Sequence, residues 1–96
     1  MKKLLQDLDK AFETKVRLGI MAALTVNESL NFSSLKDILE VTDGNLATHL
    51  KFLEKCQYVA SHKEFLNKKP NTSYAVTALG REAFIKHIKA IEQMLN

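Results

Sequence analysis

Residues 41–55 read VTDGNLATHLKFLEK, and the reading of this stretch decides the fold. Leu46, Leu50 and Leu53, with Gln57 beyond them, fall within about 40° of one direction on a helical wheel, so the periodicity predicts a helix whose leucine face meets a core. Each leucine contributes about 1.5–3 kcal/mol if fully buried. The opening turn is unusual for such a helix. Thr42 is a good N-cap and Asp43 suits the positive end of the dipole, but Asp43, Gly44 and Asn45 are all poor helix formers. Gly44, Thr48, Lys51 and Lys55 lie opposite the leucines, with Asn45 and Phe52 to one side. The outward stripe is small and polar in front and cationic behind.

Working outward, Ser33 or Ser34 is expected to cap a preceding helix, because Ser34-x-x-Asp37 resembles a capping box with Asp in place of Glu. Leu35, Ile38 and Leu39 would form its buried stripe. A turn of about three residues then leads to Thr42, giving two short helices joined tightly, as in a helix-turn-helix. Upstream, Leu5, Leu8 and Phe12 predict an amphipathic helix over residues 3–12. A second helix over 14–25 carries Val16, Ile20, Ala23 and Leu24 on one face, and Gly19 within it permits close helix packing. Leu30 and Phe32 could flank a very short strand.

Downstream, YVASHKEF from Tyr58 is compatible with a strand of weak alternation. LNKKPNT reads as a loop through Asn67, Pro70 and Asn71, and SYAVT then alternates with Tyr74 and Val76 on one face. Thr77 caps a closing helix of roughly 17 residues. The expected fold class is mainly α with a small β-hairpin (α+β), in one domain over residues 1–96. The helix-turn-helix occupies about 33–56, the hairpin about 58–77 and the last helix about 78–95.

The chain has 96 residues, 46% hydrophobic and 26% charged, which is ordinary globular composition. Asp7, Asp9 and Lys10 interrupt the N-terminal apolar run before a signal sequence could form, and no stretch is long enough to span a membrane. A single cysteine excludes an internal disulfide and suits a reducing cytoplasm. Net charge is +3, unevenly placed. Residues 1–48 hold six basic and seven acidic groups, whereas 49–96 hold eight and four. The basic excess begins inside the quoted helix and continues through Lys63, Lys68 and Lys69, so a polyanion is a natural partner for that half.

The quoted helix meets the demands of a DNA major groove. Small leading residues let the backbone approach base edges, Asn45 can make a paired contact with adenine, and Thr48 offers a hydroxyl or a methyl. Free N–H groups of the first turn point at phosphate, and Lys51 and Lys55 add charge without base preference. Asp43 would repel phosphate and counts slightly against this reading.

GNLATHLKFLEKCQYV, preceded by Ser-Leu-Lys-Asp-Ile-Leu and followed by TSYAVTALGREAF, resembles the ArsR/MarR-type winged helix-turn-helix transcriptional regulators. The likeness spans about residues 12–86 and is nearest the small dimeric subgroup without a separate effector domain. It implies that residues 34–40 and 43–56 are the two helices of the motif. Gly44, Asn45 and Thr48 would face bases. His49 and Lys51 would face the DNA backbone, with Thr42 and Lys55 beside them, and Ser33 and Ser34 would meet phosphate. The wing, with Asn67, Lys68, Lys69 and Asn71, would follow a neighbouring minor groove. Many relatives place Arg in the recognition helix or wing tip. Thr48 and lysines stand here instead, which implies weaker base discrimination, since lysine is a point charge without a fork.

Metal-sensing relatives carry a cysteine-rich motif or His/Asp pairs on the last helix, whereas this chain has only Cys56 and an isolated His87. His49, His62 and His87 lack ligand spacing, so neither a metal nor another cofactor is expected. Cys56 reads as a small buried hydrophobe in preference to a redox-sensing thiol. No phosphate loop, nucleophile elbow or paired-carboxylate pocket occurs, so no enzyme is expected. Leu5, Leu8, Phe12, Phe84, Ile88, Ile91 and Leu95 offer more apolar surface than one small winged domain needs, and predict a homodimer seam between the terminal helices. The expected activity is sequence-preferring binding of double-stranded DNA by a dimeric regulator, a repressor. The rival is a winged-helix protein-interaction module without DNA readout, for which Phe52 would be the main anchor. No residue pattern names a small-molecule effector.

Overall fold

A computed structural model describes residues 2–96. In chain order it contains α1 (Lys2–Gln6), a 3₁₀ turn (Lys10–Phe12), α2 (Lys15–Thr25), β1 (Leu30–Asn31), α3 (Phe32–Leu39), α4 (Asp43–Lys55), β2 (Val59–Leu66), β3 (Lys69–Val76) and α5 (Ala78–Met94). The strands form one antiparallel sheet in the order β1-β3-β2. The elements are those of a winged helix, mostly helical with a three-stranded wing sheet.

The core lies where α2, α3 and α4 meet. Ile20, Met21 and Leu24 of α2, Leu35 of α3, and Leu46, Leu50 and Leu53 of α4 are all fully enclosed. The three leucines therefore anchor α4 as their spacing predicts. Gly19 allows α3 to come close, since a Cβ there would stand 2.7 Å from Cδ2 of Leu39.

Four local expectations are corrected. The helix over 3–12 breaks, because the Asp9 side chain accepts the Ala11 N–H at 2.9 Å and starts a separate turn. Asn31, not Ser33 or Ser34, caps α3, its Oδ1 accepting the Ser34 N–H at 2.8 Å. Helix α3 thus begins at Phe32, and the Ser34–Asp37 box does not form. Ile38 is 54% exposed and leaves the buried stripe to Leu35 and Leu39. The loop from Leu66 to Thr72 contracts to Asn67 and Lys68, both in the left-handed region at φ 52° and 65°. Two left-handed residues in succession form the turn whose twist matches its flanking strands. Lys69, Pro70 and Asn71 belong to β3, and Pro70 pairs with Phe65 where β3 has no neighbour on its β1 side. An edge tolerates the missing N–H.

The sheet is locked to α5 at its base. The Tyr58 carbonyl accepts the Thr77 N–H at 3.0 Å, and the Thr77 hydroxyl donates to the Gln57 carbonyl at 2.7 Å. Gly80 packs on the same peptide, where a Cβ would lie 2.1 Å from the Tyr58 carbonyl oxygen. Asp9 ties a third segment to this point. Its carboxylate accepts the Tyr58 hydroxyl at 2.6 Å, and its N–H donates to Nδ1 of His87 at 3.0 Å. Phe12 stands at the centre, its ring 5.4 Å from Phe84 and from Tyr58 and 5.2 Å from His87. Phe12 and Phe84 are consequently buried inside their own chain, which removes both from the expected dimer seam.

Candidate nucleic-acid interface

Thr42 opens α4 in extended conformation, its hydroxyl accepting the Asn45 N–H at 3.2 Å. Gly44, Asn45, Thr48, Lys51 and Lys55 are all exposed. A methyl placed on Gly44 would meet no atom within 4 Å, so none of the described residues covers that point at the front of this helix. The Thr48 hydroxyl donates to the Gly44 carbonyl at 2.9 Å, which leaves its oxygen lone pairs and its methyl as the groups it can offer. Asp43 does not stand as a free negative charge. Lys36 of α3 meets it at 2.8 Å, and that contact raises the Lys36 pKa.

His49 departs from expectation. Its Nδ1 accepts from the Arg17 guanidinium at 3.1 Å, and burial together with Arg17 lowers its pKa. A neutral, half-buried imidazole facing α2 is no cation for the DNA backbone. Arg17, which the periodicity did not single out, holds α4 from behind. Its Nε donates to the Ala11 carbonyl at 2.7 Å and its guanidinium lies 4.0 Å from the centre of the Phe52 ring. Phe52, 40% exposed, is capped by that cation, so the main anchor of an interaction module is already engaged.

The second wall of the interface is the wing. Because side chains alternate along a strand, the pairs Ser61–Tyr74, Lys63–Thr72 and Phe65–Pro70 share one face of the hairpin, while His62–Ser73, Glu64–Asn71 and Leu66–Lys69 share the other. The first face borders a cleft against α4, lined by Lys51 and Glu54 on the helix and by Ser61, Lys63, Thr72 and Tyr74 on the sheet. The Ser61 hydroxyl donates to Glu54 across it at 3.2 Å. Lys51 and Lys63 thus stand on opposite sides of one groove. Asn71 lies on the other side of β3 and shares a groove with Ser33, while Ser34 is half-buried. Lys68 and Lys69 are exposed at the tip.

Residues 16–95 match the family described as the winged helix DNA-binding domain. The chain belongs to that family. It is 40% identical over 85 residues to an uncharacterized protein of Methanocaldococcus jannaschii, covering 88% of this chain and 92% of the relative. Among solved structures it superposes on a transcriptional regulator homologue from Pyrococcus horikoshii with a TM-score of 0.89 at 27% identity, over 99% of this chain and 95% of that one. It also superposes on MepR of S. aureus, solved as a DNA complex, with a TM-score of 0.78 at 15% identity, over 100% and 79% of the two chains. That last likeness is one of fold.

This winged helix domain therefore shares its fold with the transcriptional regulator homologue from Pyrococcus horikoshii. Its three histidines have separate surroundings. His49 meets Arg17, His62 lies 3.7 Å from Glu64, and His87 meets Asp9. The Cys56 thiol is half-buried against the core, and burial with the nearby Asp9 raises its pKa. Among the described residues, no helix is long and apolar enough to cross a membrane.

Proposed function

We propose that this winged helix domain is a homodimeric, sequence-preferring binder of duplex DNA that represses transcription in the cytoplasm by occupying a promoter. The observation that carries this reading is the uncovered front of α4, where Gly44 has open space above it and Asn45 and Thr48 stand exposed on either side. In the proposed complex α4 enters the major groove, with Gly44 admitting close backbone approach while Asn45 and Thr48 meet base edges. Lys51 and Lys55 face the DNA backbone beside the free N–H groups that follow Thr42, and Ser33 lies where α3 crosses the strand. The wing follows the minor groove through Asn67, Lys68 and Lys69. His49 is left out of the contact set because its ring serves Arg17.

A mobility-shift series on duplexes selected from random sequence tests the reading. Replacing Lys68 and Lys69 together by Ala should weaken binding to all duplexes and reduce the slope of log K against log salt by about 2. Asn45→Ala should cost about 1–3 kcal/mol at particular base pairs and nothing elsewhere. A uniform loss with Asn45→Ala would remove base readout from α4, and an unchanged salt slope would remove the wing from the contact.

A further inference from the structure

Phe65 and Leu66 sit next to the wing turn, 77% and 51% exposed, between Lys63-Glu64 on one side and Asn67-Lys68-Lys69-Pro70 on the other. Large apolar side chains at a solvated hairpin tip gain nothing for the fold, since neither touches the core. The two are not equivalent. Register places Phe65 with Pro70 on the sheet face that also carries Lys63, Thr72, Ser61 and Tyr74, the face bordering the α4 cleft. Leu66 pairs with Lys69 on the opposite face. Any duplex seated on α4 and lying along the wing therefore meets Lys63 first and Phe65 beyond it.

We infer that Phe65 is an apolar wedge for the DNA minor groove, entering between or against base steps and bending the duplex toward the protein. The inference rests on the DNA-binding reading above and adds a contact that charge alone does not supply. Its surroundings favour a polyanion over an apolar protein surface. Lys63 shares the face, Lys68 and Lys69 lie within four residues in sequence, and the nearby acid, Glu64, points to the other face with His62 beside it. Apolar side chains in the minor groove unstack a step and kink the helix, and the cost returns as extra contact between DNA and protein. The two-residue turn at Asn67 and Lys68 keeps the tip short, so Phe65 is held on a paired strand and not on a loose loop.

The test uses the full chain and a selected duplex of about 30 base pairs carrying a dye at each end, so that affinity and end-to-end distance are read together. Phe65→Ala should weaken binding about tenfold, leave the salt slope unchanged and lengthen the end-to-end distance of the bound duplex. Leu66→Ala, equally close to the tip but on the other face, should change none of the three. If the wild-type chain binds no duplex at low salt, the DNA reading falls and takes the wedge with it. If the wild-type chain binds and Phe65→Ala binds and bends the duplex equally well, the wedge alone is overturned. Loss of self-association in Phe65→Ala, with DNA affinity unchanged, would likewise overturn it in favour of a protein contact.

Discussion

At the scale of single residues, Gly44 separates what the fold needs from what the interface needs. Inside a helix glycine is worth up to about 1 kcal/mol less than alanine, and here a methyl would meet nothing within 4 Å. Gly44→Ala is therefore expected to raise the midpoint of thermal unfolding slightly while lowering affinity for selected DNA, because the added methyl sits where backbone and base edges would approach. A variant that is more stable and binds DNA unchanged would show that α4 does not come near the bases through this residue. The exposed stripe from Gly44 to Lys55 was legible because helical spacing depends only on sequence. Arg17 was not legible, since its role exists only once α2 and α4 pack and its guanidinium reaches His49, Phe52 and Ala11 together. The same packing occupies His49 with Arg17, a use that its place in the sequence beside Thr48 does not reveal.

At the scale of elements, the joint between wing and closing helix depends on one close approach. The N-terminal turn of α5 rests on the Tyr58 peptide, and a Cβ at Gly80 would press into backbone, which cannot rotate away as a side-chain end can. Gly80→Ala should therefore destabilise the fold by about 1–3 kcal/mol despite alanine's better helix propensity, measured by denaturant unfolding. The contrasting case is Gly19, where the obstacle is a Leu39 methyl that can shift. A neutral or stabilising Gly80→Ala would mean that the wing is not docked on α5 as described. Thr42 and Thr77 were legible as caps because each precedes a strongly periodic run. Asn31, and not Ser33 or Ser34, caps α3 because it lies in a strand bridge and caps the next helix at once, a double role that local pattern does not reveal. The wing loop is shorter than Pro70 and Asn71 suggest, because strand pairing to Phe65 and Glu64 overrides their preference for turns.

At the scale of the whole molecule, the terminal segments answer two different demands. Asp9 and His87 close the chain on itself, and burial lowers the His87 pKa below its ordinary value of about 6.5, with Asp9 and Glu13 opposing. The unfolded chain takes up that proton first, so this contribution to stability is complete above about pH 6.5 and is lost as pH falls through the lower folded value. His49 shifts in the same direction. Unfolding free energy should thus decline as pH is lowered from 7 toward 5, and His87→Gln, which retains a hydrogen-bond acceptor, should flatten the decline; an unaltered slope would take His87 out of the linkage. The outer half of α5 behaves differently. Phe84 is enclosed, Ile88 is half-buried, Ile91 is 37% exposed and Leu95 is 83% exposed, so one apolar stripe emerges from its own domain as the helix proceeds. Leu5, 57% exposed on α1, lies on an element that packs against α5. In the homodimer proposed above a second copy would cover this stripe, and dimeric helix-turn-helix proteins in general address half-sites about one turn of DNA apart, roughly 34 Å. Leu95 adds little to the isolated chain and Ile91 is only partly covered by it, so replacing both by Glu should lower its unfolding midpoint modestly and leave it folded. The expected result is a monomer by sedimentation at concentrations where the wild-type chain is a dimer, with loss of preference for duplexes carrying two half-sites. Unchanged mass in that double variant would place the partner elsewhere and leave the apolar stripe of Ile88, Ile91 and Leu95 without a role in assembly.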